Sequence, residues 1–435
     1  IIFALVLTVC IAVVVSVSIA TSNNKDDGPA EIVVTDPCDN PAGYVGHCLC
    51  NNLTIDDDLY EDLYEDMHED IREALDLLRM KFAAILPPEN VSSACDPQSL
   101  AIHWLVDTLN ISKPQKKRDF YEYVAQGSTA EFLLVQRFVL ATCFFSLNGN
   151  ITKTHTWENE TATACDWPGV TCTPFGRVEQ LSLSYQGLTG SIPSEIGQLS
   201  YLKILQLAGN PGLEGRVPVE VLGIRSLRVL DLRRNKLTGT LAELVPRPNQ
   251  SALDELLLDG NLYEGAIPTE FGLMTRLRKL HIEGNRLTGP IPSEMGQMTD
   301  LVELKLTSNK LNETVPQEVA SLKYMQELLL RGNRLSGGLP TSINQTWGLR
   351  ILDFAGNNFT GPNRAHDYCA NVPTLDLVFV DCTELDESET STRCGDGKVD
   401  EDPKDGQKCR CICETDQSSS TQPGYINLND AEFVL

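Results

Sequence analysis

The stretch Leu277-Arg-Lys-Leu280-His-Ile282-Glu-Gly-Asn285-Arg-Leu287-Thr-Gly289-Pro-Ile291-Pro292 decides how this chain is read. Its pattern, L-x-x-L-x-L-x-x-N-x-L-x-G-x-[IVL]-P, returns eight times between about Val178 and Pro362, with the marker position at Gln186, Asn210, Asn235, Asn261, Asn285, Asn309, Asn333 and Asn357. Successive markers lie 24, 25, 26, 24, 24, 24 and 24 residues apart, a period that belongs to a stacked array. The longer steps come from one extra residue near Asn210-Pro211-Gly212-Leu213 and two between Leu241 and Gln250, where loops absorb insertions.

The pattern has a physical reading. Alternating leucines such as Leu230/Leu232, Leu280/Ile282 and Leu304/Leu306 turn one strand face inward, and a short strand buries that face only by stacking on neighbours. An inward asparagine at the turn can bond backbone groups of adjacent coils, so the asparagine column is expected to form a structural ladder. Gly190, Gly215, Gly239, Gly265, Gly289, Gly337 and Gly361 suit a tight bend, and unit six breaks the rule with Glu313. An aliphatic residue followed by proline closes six of the eight units.

These features resemble the plant-type subclass of leucine-rich repeats, marked by L-x-G-x-I-P. The resemblance implies an α/β solenoid of about eight coils, with an α-helical N-terminal cap and a cysteine-rich C-terminal cap. Outside the array, the chain divides into an apolar segment (1–20), a polar cysteine-containing linker (21–55), a helical region (56–150), the repeat N-terminal cap (151–177), a cysteine-rich cap (363–416) and a polar tail (417–435).

Composition narrows the function classes. A net charge of −25 repels nucleic-acid phosphates, so no nucleic-acid partner is expected. Fourteen cysteines fit an oxidising compartment. Nine N-x-[ST] sequons agree, at Asn52, Asn90, Asn110, Asn150, Asn159, Asn249, Asn312, Asn344 and Asn358. Ile1 to Ala20 carry no charge and are long enough to span hydrocarbon, which predicts a signal-anchor with the remainder outside, a single-pass type II arrangement. The chain starts without methionine, as if entered inside that segment. Cleavage after Ser18-Ile-Ala20 is the alternative.

Leu59, Leu63, Met67, Ile71, Leu75, Leu78 and Phe82 recur at helical spacing, opposite eleven acids between Asp56 and Asp76. A solvated acidic face is the expectation; calcium binding and a dimerising stripe are the alternatives. Asp96-Pro97 opens a helix through Trp104 and Leu105, and Ser128-Thr-Ala-Glu131 opens another that buries Phe132, Val135, Phe138, Val139 and Phe145. These helices are expected to cover the open end of the solenoid. Cys165-Asp-Trp167-Pro-Gly169-Val170-Thr-Cys172 resembles the C-x-W-x-G-V-x-C element that precedes the first coil in plant-type ectodomains, which implies a Cys165–Cys172 disulfide. Cys369, Cys382, Cys394, Cys409, Cys411 and Cys413 follow the array, and 15 connectivities are open to six cysteines. Zinc is the rival reading there, and Gly395 to Asp402 carries an incomplete calcium-loop spacing.

The whole arrangement resembles the membrane-anchored leucine-rich repeat proteins of diatoms and, in its coils, plant receptor-like proteins and polygalacturonase-inhibiting proteins. No G-x-S-x-G, H-E-x-x-H, phosphate-loop or kinase signature occurs, so no catalytic activity, cofactor or metal is expected. Three functions remain: a receptor-like or co-receptor ectodomain binding a protein, peptide or glycan, a structural adhesion or wall-associated protein, and an inhibitor of an extracellular hydrolase.

The residues between the inward leucines face outward on the concave sheet and stack into columns. One reads Ser182, Gln206, Asp231, Leu257, His281, Lys305, Leu329, Asp353; the next reads Ser184, Ala208, Arg233, Asp259, Glu283, Thr307, Arg331, Ala355. Alternating charge and two exposed leucines in the middle coils make Arg233, Asp259, His281, Glu283, Lys305 and Arg331 the candidate ligand contacts. A solvated face whose charges pair along the sheet is the alternative. His281 itself is expected to be solvated, with a pH-sensitive contact as its alternative.

Overall fold

The computed structural model describes residues 101, 105, 128–147, 163–245, 252–346, 348–360, 372, 374–381 and 410–414. The apolar run 1–20, the acidic helix expected over Asp56 to Phe82, the sequons at Asn52, Asn90, Asn110, Asn150, Asn159 and Asn249, and Cys369, Cys382, Cys394 and Cys409 lie outside the described residues. No helix among the described residues is long and apolar enough to cross a membrane.

One eleven-stranded sheet organises the molecule. Its strands, in spatial order, are β1 (Val170–Cys172), β2 (Val178–Ser182), β3 (Ile204–Gln206), β4 (Val229–Asp231), β5 (Glu255–Leu257), β6 (Lys279–His281), β7 (Glu303–Lys305), β8 (Glu327–Leu329), β9 (Ile351–Asp353), β10 (Leu377–Asp381) and β11 (Arg410–Glu414). β1 pairs antiparallel with β2; every later pair is parallel, one strand per coil. The inward leucines stack in register: Leu181, Leu205, Leu230, Leu256, Leu280, Leu304, Leu328 and Leu352 are all buried, and each contributes about 1.5–3 kcal/mol by leaving water.

The parallel sheet runs two strands past the eighth repeat. Leu375 and Val378 are buried and continue the inward columns of Leu349 and Leu352, a degenerate ninth unit that lacks the asparagine. β11, which carries Cys411 and Cys413, pairs with β10 in turn, so the sheet reaches into the cysteine-rich segment.

Behind the sheet, each of the first seven coils returns through a short helical turn. Pro193, Pro218, Pro268, Pro292, Pro316 and Pro340 stand at the N-caps of Ser194–Gln198, Val219–Leu222, Thr269–Leu273, Ser293–Gln297, Gln317–Ala320 and Thr341–Gln345, where the missing amide costs nothing. A second row of short strands lines one flank and divides into a three-stranded and a five-stranded sheet. The break falls between Lys236–Leu237 and Glu264–Gly265, at the coil with the two-residue insertion, and one bridge, Thr240 to Glu264, crosses it. The concave sheet runs unbroken past the same insertion.

The asparagine ladder forms as the spacing predicts. In the sixth coil, Asn309 Nδ2 donates to Ile282 O of the preceding coil (2.9 Å) and to Leu306 O of its own (3.1 Å), while its Oδ1 accepts from Leu287 N–H (3.1 Å). Asn210, Asn235, Asn261, Asn285, Asn333 and Asn357 make the same pair of Nδ2 bonds. Gln186 stays outside this ladder: its longer amide is exposed and turns back to Ser184 O, and Asn210 serves the first coil instead.

Glu313 adopts the backbone of the glycines it replaces. Its φ is 66°, beside 79° at Gly289 and 74° at Gly337, a left-handed conformation that costs a side-chain-bearing residue roughly 1 kcal/mol.

The helical cap covers the first coil. Helix α1 (Ser128–Leu147) is apolar on nearly every side and correspondingly buried, with Leu134, Phe138, Val139, Leu140, Ala141, Cys143 and Leu147 inside and Val135 packed at the margin. The side chains of Phe132 and Phe145, also expected inside, lie outside the described residues. Ala101 and Leu105 are helical and fully buried. Gln136 joins helix to sheet: its Oε1 accepts from Val178 N–H (2.7 Å) and its Nε2 donates to Gly176 O (3.0 Å). Cys165 and Cys172 are disulfide-bonded with Cα atoms 5.6 Å apart, tying the turn at Ala164–Asp166 to β1 around buried Trp167.

Candidate functional site

Three outward columns cover the concave face. Besides the two flanking the second inward leucine, the residue before the first inward leucine also faces out: Gln180, Ile204, Val229, Glu255, Lys279, Glu303, Glu327, Ile351 and Leu377. This column completes the charge pattern in the middle coils, because its Glu303 and Glu327 hold His281 and Lys305. Strand alternation extended by one residue would have revealed it.

Across β5 to β8 the side chains form one connected row. His281 Nε2 lies 2.8 Å from Glu303 Oε2, and its Nδ1 lies 3.8 Å from Asp259 Oδ2. Lys305 reaches Glu327 at 2.8 Å and Glu303 at 3.6 Å, while Lys279 sits between Glu255 (3.4 Å) and Glu303 (3.5 Å). Glu283 adds a backbone link, its N–H donating to Asp259 Oδ1 at 2.9 Å.

The row is only partly open to water. His281 is 8% exposed, which overturns the expectation of a solvated imidazole, because ring and carboxylates close over one another on a curved face. Leu257 is 6% exposed and Leu329 half-buried, so the two leucines expected to stand free are instead packed among their neighbours.

Burial and pairing move the carboxyls in opposite directions. Desolvation pushes Asp259 up to about 6, with adjacent Glu283 adding to the rise and His281 and Arg233 opposing it. The hydrogen bond from His281 holds Glu303 down to about 2, against a smaller desolvation, with Lys305 and Lys279 assisting. Lys305 loses some proton affinity to burial and regains more from Glu327 and Glu303, ending above its ordinary value.

The six candidates do not all meet. Asp259, His281, Glu283 and Lys305 share the central row. Arg233 folds onto Asp231 of its own strand with two bonds (2.9 and 2.8 Å) and influences Asp259 only through its charge. Arg331 lies toward the C-terminal coils, 3.1 Å from Asp353 and with its guanidinium carbon 5.7 Å from the centre of the Phe379 ring. Phe379, on β10, was not visible to repeat counting, since the ninth unit carries no marker asparagine. Of the sequons within the described residues, Asn312 and Asn358 are exposed on the flanking five-stranded sheet, away from the concave columns. Among the described residues no group of three or more histidine, cysteine or acidic side chains is placed to hold a metal ion.

Comparison with known proteins agrees with this architecture. Two leucine rich repeat family models match, over residues 275–335 and 226–247. The phytosulfokine receptor 1 of Arabidopsis thaliana is 29% identical over 96 residues, spanning 21% of this chain and 9% of that protein. Receptor-like protein kinase 7 of the same plant is 34% identical over 98 residues, 22% of this chain and 10% of the kinase. The chain therefore spans about a tenth of the length of these relatives. Among solved structures, the Arabidopsis receptor kinase HAESA in complex with the peptide hormone IDA and the co-receptor SERK1 superimposes with a TM-score of 0.50 at 28% identity, over 56% of this chain and 41% of that one. The chain thus carries a plant-type leucine-rich repeat solenoid and resembles the repeat regions of plant receptor kinases.

Proposed function

We propose that the protein is a non-catalytic extracellular recognition protein, a receptor-like or co-receptor ectodomain that binds a protein, peptide or glycan on its concave face. The observation that carries this reading is the central row over β5 to β8. It holds partly buried charges of both signs in an order that no coil repeats, on a surface the solenoid does not need for stacking. The similar HAESA structure was determined with a peptide hormone and a co-receptor, which favours a peptide or protein ligand over the adhesive and inhibitory alternatives. The pairing of charges along the sheet fits this reading as well, since it fixes the side chains in one arrangement before a partner arrives.

The uncharged run at Ile1 to Ala20, the cysteines and the sequons support a membrane-anchored, single-pass type II arrangement with the bulk of the chain outside the cytosol. The test of the binding reading is joint replacement of Arg233, Glu283 and Arg331 by alanine. The variant should keep its melting temperature within a few degrees and lose at least about tenfold in affinity for a peptide or protein ligand captured by the wild type. Full affinity in a folded variant would move the site off the concave face.

A further inference from the structure

The central row contains more carboxylates than its imidazole can serve in the neutral form. His281 faces Glu303 with Nε2 at 2.8 Å and Asp259 with Nδ1 at 3.8 Å, and both acids belong to neighbouring coils. A neutral imidazole has one N–H, and the short contact to Glu303 assigns it to Nε2. The Nδ1 lone pair then points at the Asp259 carboxylate, a repulsion that one added proton turns into an attraction.

We propose that Asp259, His281 and Glu303 form a proton-linked switch that sets the charge of the concave face. With Asp259 and Glu303 ionised and His281 neutral, the three groups carry two negative charges; a proton in the gap between Asp259 and His281 leaves one, and a second leaves none. The surroundings hold the proton there. Glu303 stays ionised because His281 hydrogen-bonds it and Lys279 and Lys305 lie within 3.5 and 3.6 Å of it. On the other side, Asp259 Oδ1 is engaged by Glu283 N–H, which leaves Oδ2 as the proton's partner. The charged groups facing the row are Arg233 and Glu283 beside Asp259, and Lys279 and Lys305 beside Glu303. Burial of Asp259, which raises its proton affinity to about 6, places uptake in the range between cytosolic and acidic extracellular conditions.

This inference rests on the concave-face reading only for its consequence, that a ligand's affinity changes with pH; the proton itself is measured without ligand. The full chain is labelled with 13C at aspartate Cγ and followed by NMR from pH 4.5 to 8, with Asp259→Asn assigning the signal. The Asp259 signal should titrate with a midpoint of about 6, and His281→Asn should raise that midpoint, because the imidazole opposes the rise that burial causes. Circular dichroism melts would establish that both variants are folded. An Asp259 signal that does not change over this range, or a midpoint unmoved by His281→Asn, would overturn the switch and leave the binding reading standing.

Discussion

The two sides of the same strands follow different rules. On the inner side, the position at the turn is asparagine in seven of eight coils, and the structure gives each asparagine the same pair of donor bonds, one within its own coil and one across the boundary to the preceding coil. On the concave side, none of the three columns repeats a residue through more than two successive coils. Stacking is a nearest-neighbour requirement that every coil must meet identically, so it produces a period. A contact with a partner is met once, at one place, so it produces none. Aperiodicity on a periodic scaffold is the ground on which the concave face is proposed to recognise a partner.

That contrast can be broken most severely at the ladder. Asn309→Ala removes the donor to Ile282 O and Leu306 O and the acceptor for Leu287 N–H, leaving buried backbone groups unpaired. The expected loss is about 3–5 kcal/mol in chemical denaturation, larger than for any single exchange on the concave face. A loss below about 1 kcal/mol would show that the ladder is replaceable by water.

The concave row should answer to pH instead. Asp259 has a folded proton affinity raised to about 6, so the folded state binds a proton that the unfolded state has already released, and stability falls as pH rises from about 4 to above 6. Glu303 acts with the opposite sign: its contribution is present above its ordinary value and is lost as pH falls toward 2. Denaturation at pH 4.5, 5.5 and 6.5 should therefore show a decline on the order of 2 kcal/mol that Asp259→Asn flattens. An equal decline in the variant would assign it to other groups.

The smallest effect sharpens the rule for the repeating scaffold. Glu313→Gly relieves the left-handed backbone at φ 66° and should stabilise by roughly 0.5–1 kcal/mol, net of glycine's greater freedom in the unfolded chain. The same exchange is neutral or destabilising if the Glu313 side chain contributes more than its backbone costs.

The inner side was legible in the sequence because its signal is repeated. Marker spacing gave the coils, and Leu-x-Leu gave the buried face. What escaped had no repetition to announce it. Gln136 anchors the helical cap through backbone groups 40 and 42 residues away, a contact no local pattern encodes. β10 and β11 extend the sheet by main-chain pairing without the marker asparagine. The six candidate contacts were found because alternation places them outward, but Lys279, Glu303 and Glu327, which pair with His281 and Lys305 or with one another, were missed. They sit one alternation earlier on the same strands, so reading two columns showed the charges without their partners.

The central claim is that a partner sits on the aperiodic face, and site-specific cross-linking tests it whatever the chemical identity of the ligand. A photoreactive benzoylphenylalanine is placed at Thr307, in the middle of the concave columns, or at Gln297, exposed on the turn behind the sheet. Both variants are irradiated in the protein's native surroundings, and the adducts are measured by mass spectrometry. Specific peptide or protein adducts at position 307, in several-fold excess over position 297, are the predicted result. Equal yields at the two positions, or a defined adduct at 297 alone, would contradict the account.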